Sequence, residues 1–364
     1  MKLAIVAPLV SPIREPQRGG SQAFVSELAR GLVRRGYDVH LYAASGSAVQ
    51  GVDVIDTGVD HRDLAATLYR PSGGAVARST VAARAFARVY EMVHEGRYDV
   101  VHNHAFDPPA VRLASAQSAP VVHTVHLPPD AAVAGALRQA FRRDPSPLVA
   151  CVSASHANAW RRLVPVDAIL PPFIPTRQIR FSPTAGSGAV FAGRLSPEKG
   201  AADAIAIARL AGVEIDVYGD GYDADYAREQ IDPRGTDAGV AVHAAIPQTA
   251  IWQAMGRAAV VLCPAKWEEP FGMVAAEAQA CGTPVVAFRR GALPEVIVDG
   301  TTGFLVEPDD HRAAAEAVGR TPALSRSACR AHAERYLDIE RSLDAHERVY
   351  ERVAAPGLPG RTGA

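Results

Sequence analysis

At 364 residues the chain exceeds what one compact core usually holds, since domains run to roughly 150 residues, and two are expected. Lys+Arg 38 against Asp+Glu 39 leaves a net charge of -1, which gives no positive excess to follow a nucleic-acid backbone or an acidic membrane surface. With 48% hydrophobic and 21% charged residues, the composition is that of a folded globular protein and not of a disordered chain.

The first residues, MKLAIVAPLVSP, form a short apolar run ended by Pro12, without the small-residue cleavage pattern of a secretion signal. They read as a first strand. No run approaches the roughly 18 apolar residues of a membrane-spanning helix, so no stable membrane insertion is expected and the expected location is cytoplasmic. Further buried strands are expected at 38–43, 98–101, 120–125 and 148–152, each a β-branched or apolar run bounded by turn residues. Amphipathic helices fall between them. From Gly20 to Arg35, Phe24, Leu28, Leu32 and Val33 share one face, and a second helix covers 76–94.

Near residue 170 the alternation gives way to LPPFIPTRQIRFSPTAGSG, rich in proline, glycine and small polar residues, as in an interdomain linker. A second alternating series follows, with strands expected at 188–192, 213–218, 240–244, 259–263, 284–288 and 303–306. Its helices are expected at 199–211, 247–257, 273–281 and in the run from 309 to about 353. The final PGLPGRTGA reads as a tail. The sum is an α/β protein of two open domains, 1–175 and 176–337, followed by a C-terminal helix and tail, 338–364, and its ligand would lie at the carboxyl ends of the strands.

Four cysteines, Cys151, Cys263, Cys281 and Cys329, are too far apart for a C-x-x-C clip and read as reduced structural thiols. Of the basic residues only Lys2, Lys199 and Lys266 are lysines, so a lysine inside a motif stands out.

Three stretches carry chemistry. In WEEPFGMVAAEAQACGTPVVAF, residues 267–288, Glu269 and Glu277 are eight apart. Between them Pro-Phe-Gly makes a turn whose N–H groups, with the helix N-terminus after it, can receive an anion or sugar hydroxyls. Glu277, a little over one turn inside that helix, can reach a ribose diol. In FAGRLSPEKG, residues 191–200, a strand is followed by Arg194 and Lys199, a planar fork and a point charge suited to a diphosphate. The alternative is that both cations form ion pairs with Glu198 or Asp203. Gly19-Gly20 lies between the first strand and first helix and would allow a close phosphate approach. It lacks the G-x-G-x-x-G spacing and the acidic partner of a dinucleotide site. Histidines 102, 104, 123 and 126 follow the third and fourth strands. H-x-H and H-x-x-H with no third ligand are weak metal signals, and a polar network is an equal reading.

Taken in order, GRLSPEKG, the E-x7-E of EEPFGMVAAE, ACGTPVVA and RGALPEVI at 290–297 resemble the donor-binding domain of retaining glycosyltransferases of family 4. With Gly19-Gly20 and the TVH ending at His126, the resemblance extends over nearly the whole chain. WEEPFG followed by FRRGALPEVI is most similar to a bacterial subgroup that glycosylates natural products or small metabolites. The resemblance implies a GT-B fold, two Rossmann-like domains facing each other across a cleft, with the last helix crossing back to the first domain. It implies that Arg194 and Lys199 hold the diphosphate, that Glu277 holds the ribose, and that Glu269 and the N–H groups of Phe271, Gly272, Met273 and Val274 hold the sugar. His126 would stand by the anomeric carbon and Gly20 against the diphosphate. His104 and Lys266 are candidates on the acceptor side. Residues 57–80 would form an acceptor loop.

No metal and no cofactor are implied by the resemblance, the nucleoside-diphosphate sugar being a substrate, with UDP ahead of GDP. The partners expected are that donor and a small soluble acceptor. Two departures stand out: Ala292 follows Gly291 where the family often has a second glycine, and Lys266 replaces an apolar or small residue. A sugar-nucleotide 2-epimerase of the same fold and a non-catalytic nucleotide-sugar sensor are the competing functions.

Overall fold

The computed structural model describes residues 1–17, 19–62, 64, 75–184 and 186–355. Much of the expected acceptor loop and the terminal PGLPGRTGA lie outside the described residues.

The chain forms two compact units. Unit one comprises Met1–Arg14, Gly20–Pro172 and Ser342–Ala364; unit two comprises Glu15–Gly19 and Phe173–Arg341. Unit one carries β1 (Lys2–Val6), α1 (Gly20–Arg34), β2 (Asp38–Ala43), β3 (Asp53–Asp56), α2 (Ala75–Gly96), β4 (Val100–Asn103) and α3 (Pro108–Ala114). β5 (Val121–Val125), α4 (Ala131–Ala140), β6 (Leu148–Cys151), α5 (Ala154–Trp160) and β7 (Ala168–Ile169) complete its series. The strands make one parallel sheet in the order β3-β2-β1-β4-β5-β6-β7. Phe24, Leu28 and Leu32 of α1 are fully buried, as the helical spacing requires, and Val33 sits at the margin of that face.

β3 and β7 were not expected from the sequence. β3 reads DVID with both aspartates exposed, an edge strand with no apolar run to announce it, and β7 is two residues long.

Unit two carries β8 (Ala189–Ala192), α6 (Ala201–Ala211), β9 (Ile215–Tyr218), β10 (Val240–His243), α7 (Gln248–Arg257) and β11 (Val260–Cys263). It continues with α8 (Met273–Cys281), β12 (Val285–Phe288), α9 (Leu293–Val296), β13 (Gly303–Val306), α10 (His311–Arg320) and α11 (Arg326–Tyr336). Its parallel sheet is ordered β10-β9-β8-β11-β12-β13, and one apolar core joins Phe191, Ile205, Val217, Leu262 and Phe288. The expected helical run after 309 is three helices, broken at Thr321–Ala323 and at Leu337–Asp338. The last of them, α12 (Ile339–Ala354), begins in unit two and continues in unit one. Within unit one, Arg35 pairs with Asp344 at 2.8 Å and His102 meets the Tyr350 hydroxyl at 2.7 Å.

The proline-rich stretch after 170 is packed. Ile174 and Ile179 are buried, and Ile174 exchanges backbone hydrogen bonds with Leu337 and Ile339. All four cysteines are free thiols, and burial pushes Cys151, Cys263 and Cys281 up to about 12. Among the described residues no helix is long and apolar enough to cross a membrane.

In both sheets the strand order reverses beside the first strand of the series, between β1 and β4 and between β8 and β11. Open α/β sheets bind ligands outside the carboxyl ends of the strands at such points.

Candidate active site

In unit two the loop after β8 and the loop after β11 come together. Arg194 stands two residues beyond β8; its guanidinium donates to Glu198 at 3.1 Å and lies 4.7 Å over the Tyr222 ring. Lys199 ends a short 3-10 turn, Pro197–Lys199. Gly200 follows at φ 74, where a Cβ would stand 2.1 Å from the Pro264 carbonyl oxygen, so only glycine lets the loop after β8 lie against the loop after β11.

Lys199 Nζ donates to Glu269 Oε2 at 2.7 Å, and Trp267 Nε1 donates to the same oxygen at 2.8 Å. The ammonium also sits 4.7 Å from the Trp267 ring. Of the ion pairs weighed from the sequence, the one between Arg194 and Glu198 forms. Lys199 instead pairs with Glu269, and Asp203 is engaged by Lys266 and His311. The Glu269 side chain is 14% exposed and that of Lys199 24%, so the pair keeps an accessible edge.

Gly272, at φ 99, is the N-cap of α8, and no side chain caps that helix end. The first N–H groups of a helix have no partner in it, and this holds for Met273 and Val274 at the start of α8. Phe271 is buried, its ring 5.7 Å from that of Phe173. Glu277, one turn on, is 6% exposed and accepts from Gln248 Nε2 at 2.7 Å. Burial is the main cause that pushes its carboxyl up to about 7, against the hydrogen bond from Gln248, which acts the other way.

Gly291, at φ 56, brings the loop after β12 onto the Glu269 backbone; a Cβ there would lie 2.3 Å from Glu269 N and O. Ala292 adopts φ -89, is fully buried and donates its N–H to Glu269 O at 2.8 Å. The close approach needs a glycine at 291 only, so alanine at 292 loosens nothing.

Lys266 is held on the surface by Asp309 at 2.9 Å and Asp203 at 3.2 Å. Its pKa is raised, first by the hydrogen bond to Asp309.

In unit one, His104 and His126 each follow the last residue of a strand, β4 and β5. Side chains alternate along a strand, so His102 and His104 share one face with Thr124 and His126, and Asn103 and His123 share the other. His102 is engaged at both ring nitrogens, by Tyr350 and by Thr124 Oγ1 at 2.7 Å each. His123 is likewise engaged, by Asn103 at 3.1 Å and Ser115 at 2.8 Å. His104 Nδ1 lies 2.9 Å from His126 Nε2. His104 is fully buried, whereas His126 is 9% exposed. Gly20 is the exposed first residue of α1. Among the described residues no group of three or more His, Cys, Asp or Glu is placed to hold a metal ion.

Sequence reasoning missed Trp267, Tyr222 and Gln248, which hold Glu269, Arg194 and Glu277. Trp267 had a signal, since it opens the WEEPFG motif. Gln248 had none, being one polar residue at the start of a helix distant in sequence.

Residues 18–178 match the glycosyltransferase family 4 model, and residues 176–327 match the model of glycosyl transferases group 1. A D-inositol 3-phosphate glycosyltransferase of Mycobacteroides abscessus is 30% identical over 87% of this chain and 81% of its own length. A phosphatidyl-myo-inositol mannosyltransferase of Mycolicibacterium smegmatis is 28% identical over 96% of this chain and 94% of its own. Among solved structures, a sucrose-phosphate synthase from Thermosynechococcus elongatus superposes with a TM-score of 0.77 at 19% identity, over 98% of this chain and 100% of that one. Anabaena HepE, solved with UDP and glucose, superposes at 0.74 with 21% identity, over 97% and 100%. The two Rossmann-like halves are therefore those of a GT-B protein, and the chain belongs to the group 1 glycosyltransferases, with a family 4 N-terminal half.

Proposed function

We propose that this enzyme transfers a sugar from a nucleoside-diphosphate sugar to a small polar acceptor, with retention of anomeric configuration and without a divalent metal. The observation that carries the reading is the convergence of Lys199 and Trp267 on one carboxylate oxygen of Glu269 beside the uncapped N-terminus of α8. Fixed cations and oriented N–H groups are what a leaving diphosphate requires, since they stabilise charge where it develops without reorganising.

In this reading Arg194 and Lys199 bind the diphosphate, Glu277 accepts from the ribose diol, and Glu269 with the N–H groups of Phe271 to Val274 orients the sugar. His126 meets the sugar near its anomeric carbon, and Gly20 meets the diphosphate. The leaving phosphate takes the acceptor's proton as the acceptor oxygen attacks the face it vacates, so no protein nucleophile is needed. UDP is the first nucleotide to try, in keeping with the UDP and glucose in the HepE structure, and GDP the second.

For the acceptor, relatives named for D-inositol 3-phosphate favour a phosphorylated polyol. A structural neighbour from avilamycin A biosynthesis keeps a natural product as the alternative acceptor. The test is incubation with UDP-, GDP- and ADP-sugars, with and without D-inositol 3-phosphate, in EDTA. Acceptor-dependent release of the nucleoside diphosphate supports the reading. Interconversion of the sugar nucleotide without acceptor would assign an epimerase, and binding without turnover a sensor. Activity lost in EDTA and restored by Mg²⁺ would refute metal independence.

A further inference from the structure

The hydrogen bond between His104 and His126 leaves open which nitrogen carries the proton, and the surroundings decide it. Burial first, and then the neighbouring histidines, hold the pKa values of both rings far below the ordinary range, that of His126 at about 3. Both imidazoles are therefore neutral at working pH, each with one N–H.

If His126 Nε2 were the donor, His104 would accept at Nδ1 and carry its own proton on Nε2. That Nε2 is buried and has no hydrogen-bond partner, so the arrangement would strand a buried N–H, which native structures avoid more strictly than a bare acceptor. If His104 Nδ1 is the donor, its Nε2 is only an unused lone pair. The same pocket already tolerates that state. His346, whose ring lies 5.8 Å from that of Phe24, must donate from Nδ1 to the Ser342 carbonyl at 2.7 Å, and its buried Nε2 has no partner. The Phe24 ring also neighbours those of His104 and His126, at 6.3 and 6.5 Å between ring centres.

We propose that His104 is a positioning residue: by donating from Nδ1 to His126 Nε2 it fixes His126 as the Nδ1–H tautomer and makes it a hydrogen-bond donor toward an oxygen of the bound nucleotide sugar. His126 Nδ1 has no partner among the described residues, and the residue keeps an accessible edge. Without His104, the proton would be free to move to Nε2 and His126 would present a lone pair that repels a ligand oxygen. The inference rests on the reading above that His126 meets the sugar.

The tautomer is observable without turnover. In the full-length protein labelled with ¹⁵N-histidine, long-range proton–nitrogen correlation separates protonated from bare ring nitrogens, and the His126 signals are identified by their loss in His126→Asn. The expected result is a protonated Nδ1 and a bare Nε2 in the wild type; a protonated Nε2 would overturn the proposal. His104→Leu should lose this preference and lower kcat about 10- to 100-fold, the scale for outer partners that orient a working imidazole, with UDP affinity unchanged. His104→Asn, whose amide can donate from nearly the position of Nδ1, should keep the tautomer and recover most of kcat. Equal kcat in the wild type and His104→Leu, or equal loss in Leu and Asn, would refute the role. Should His104→Leu not fold, the wild-type spectrum and the Asn variant decide. If no nucleotide sugar is turned over by the wild type, it is the functional reading that fails, and the spectrum still reports the tautomer.

Discussion

Replacing Glu277 by glutamine tests the electrostatic reading of the nucleotide site through stability, independently of any substrate. The Glu277 carboxyl is buried between α7 and α8, accepts from Gln248 and has Glu15 as a like-charged neighbour; its pKa rises from 4.5 to about 7. An acid with a raised folded pKa gives the folded state the extra proton across the interval between the two values. Its contribution to stability is therefore complete below about pH 4.5 and is lost as pH rises through about 7, a difference on the order of 3 kcal/mol. Glutamine has no such titration and can still accept from Gln248. The stability of Glu277→Gln relative to wild type should climb by about that amount between pH 4.5 and 7.5, in urea titrations followed by tryptophan fluorescence, to which Trp252 beside the carboxyl contributes. Parallel pH profiles for the two proteins would refute the argument. The same variant should bind UDP less tightly by calorimetry, since the charge that costs stability is the one offered to the ribose.

Arg194→Ala and Lys199→Ala should each weaken UDP binding by about 1 to 3 kcal/mol, the worth of a charge-assisted hydrogen bond; calorimetry showing full affinity in both would remove the diphosphate from this loop. Glu269→Gln keeps an acceptor for Lys199 and Trp267 but loses the charge. It should lower kcat about 10- to 100-fold, as for one hydrogen bond to a charged group, with UDP affinity nearly kept, and a loss confined to UDP binding would contradict the assignment. Gly291→Ala must place a side chain at φ 56 and against the Glu269 backbone. The left-handed conformation alone costs about 1 to 2 kcal/mol, and the displaced WEEPFG loop should lower turnover further, whereas steady-state kinetics equal to wild type would show that the loop tolerates the shift.

The alternation of strands and helices was legible because buried parallel strands are short apolar runs, and the halves announce themselves by repeating that pattern. What escaped was what lacks an apolar signature. β3 is half charged, α9 has only four residues, and the breaks between α10, α11 and α12 fall at Pro322 and at the bend of Leu337 before the bridge of Asp338 to Ile174. At the site, the motifs pointed to Arg194, Lys199, Glu269 and Glu277 because charged residues at strand and helix ends are visible in sequence. Their partners were less so: nothing local links Gln248 to Glu277 or Trp267 to Lys199. The four histidines, His102 and His123 inside β4 and β5 and His104 and His126 just after them, could be divided between the two faces of the sheet by period-2 alternation, whereas the arrival of His346 and Tyr350 among them depends on a helix more than two hundred residues away in the chain.

The central claim, sugar transfer from a nucleotide sugar with retention, is tested most directly by proton NMR of the newly formed glycoside during turnover of UDP-α-glucose with D-inositol 3-phosphate, or of the free sugar first released to water. An α anomer formed first, with stoichiometric UDP, is the predicted result. A β anomer formed first would contradict retention and the front-face geometry assigned to Lys199, Glu269 and the N-terminus of α8.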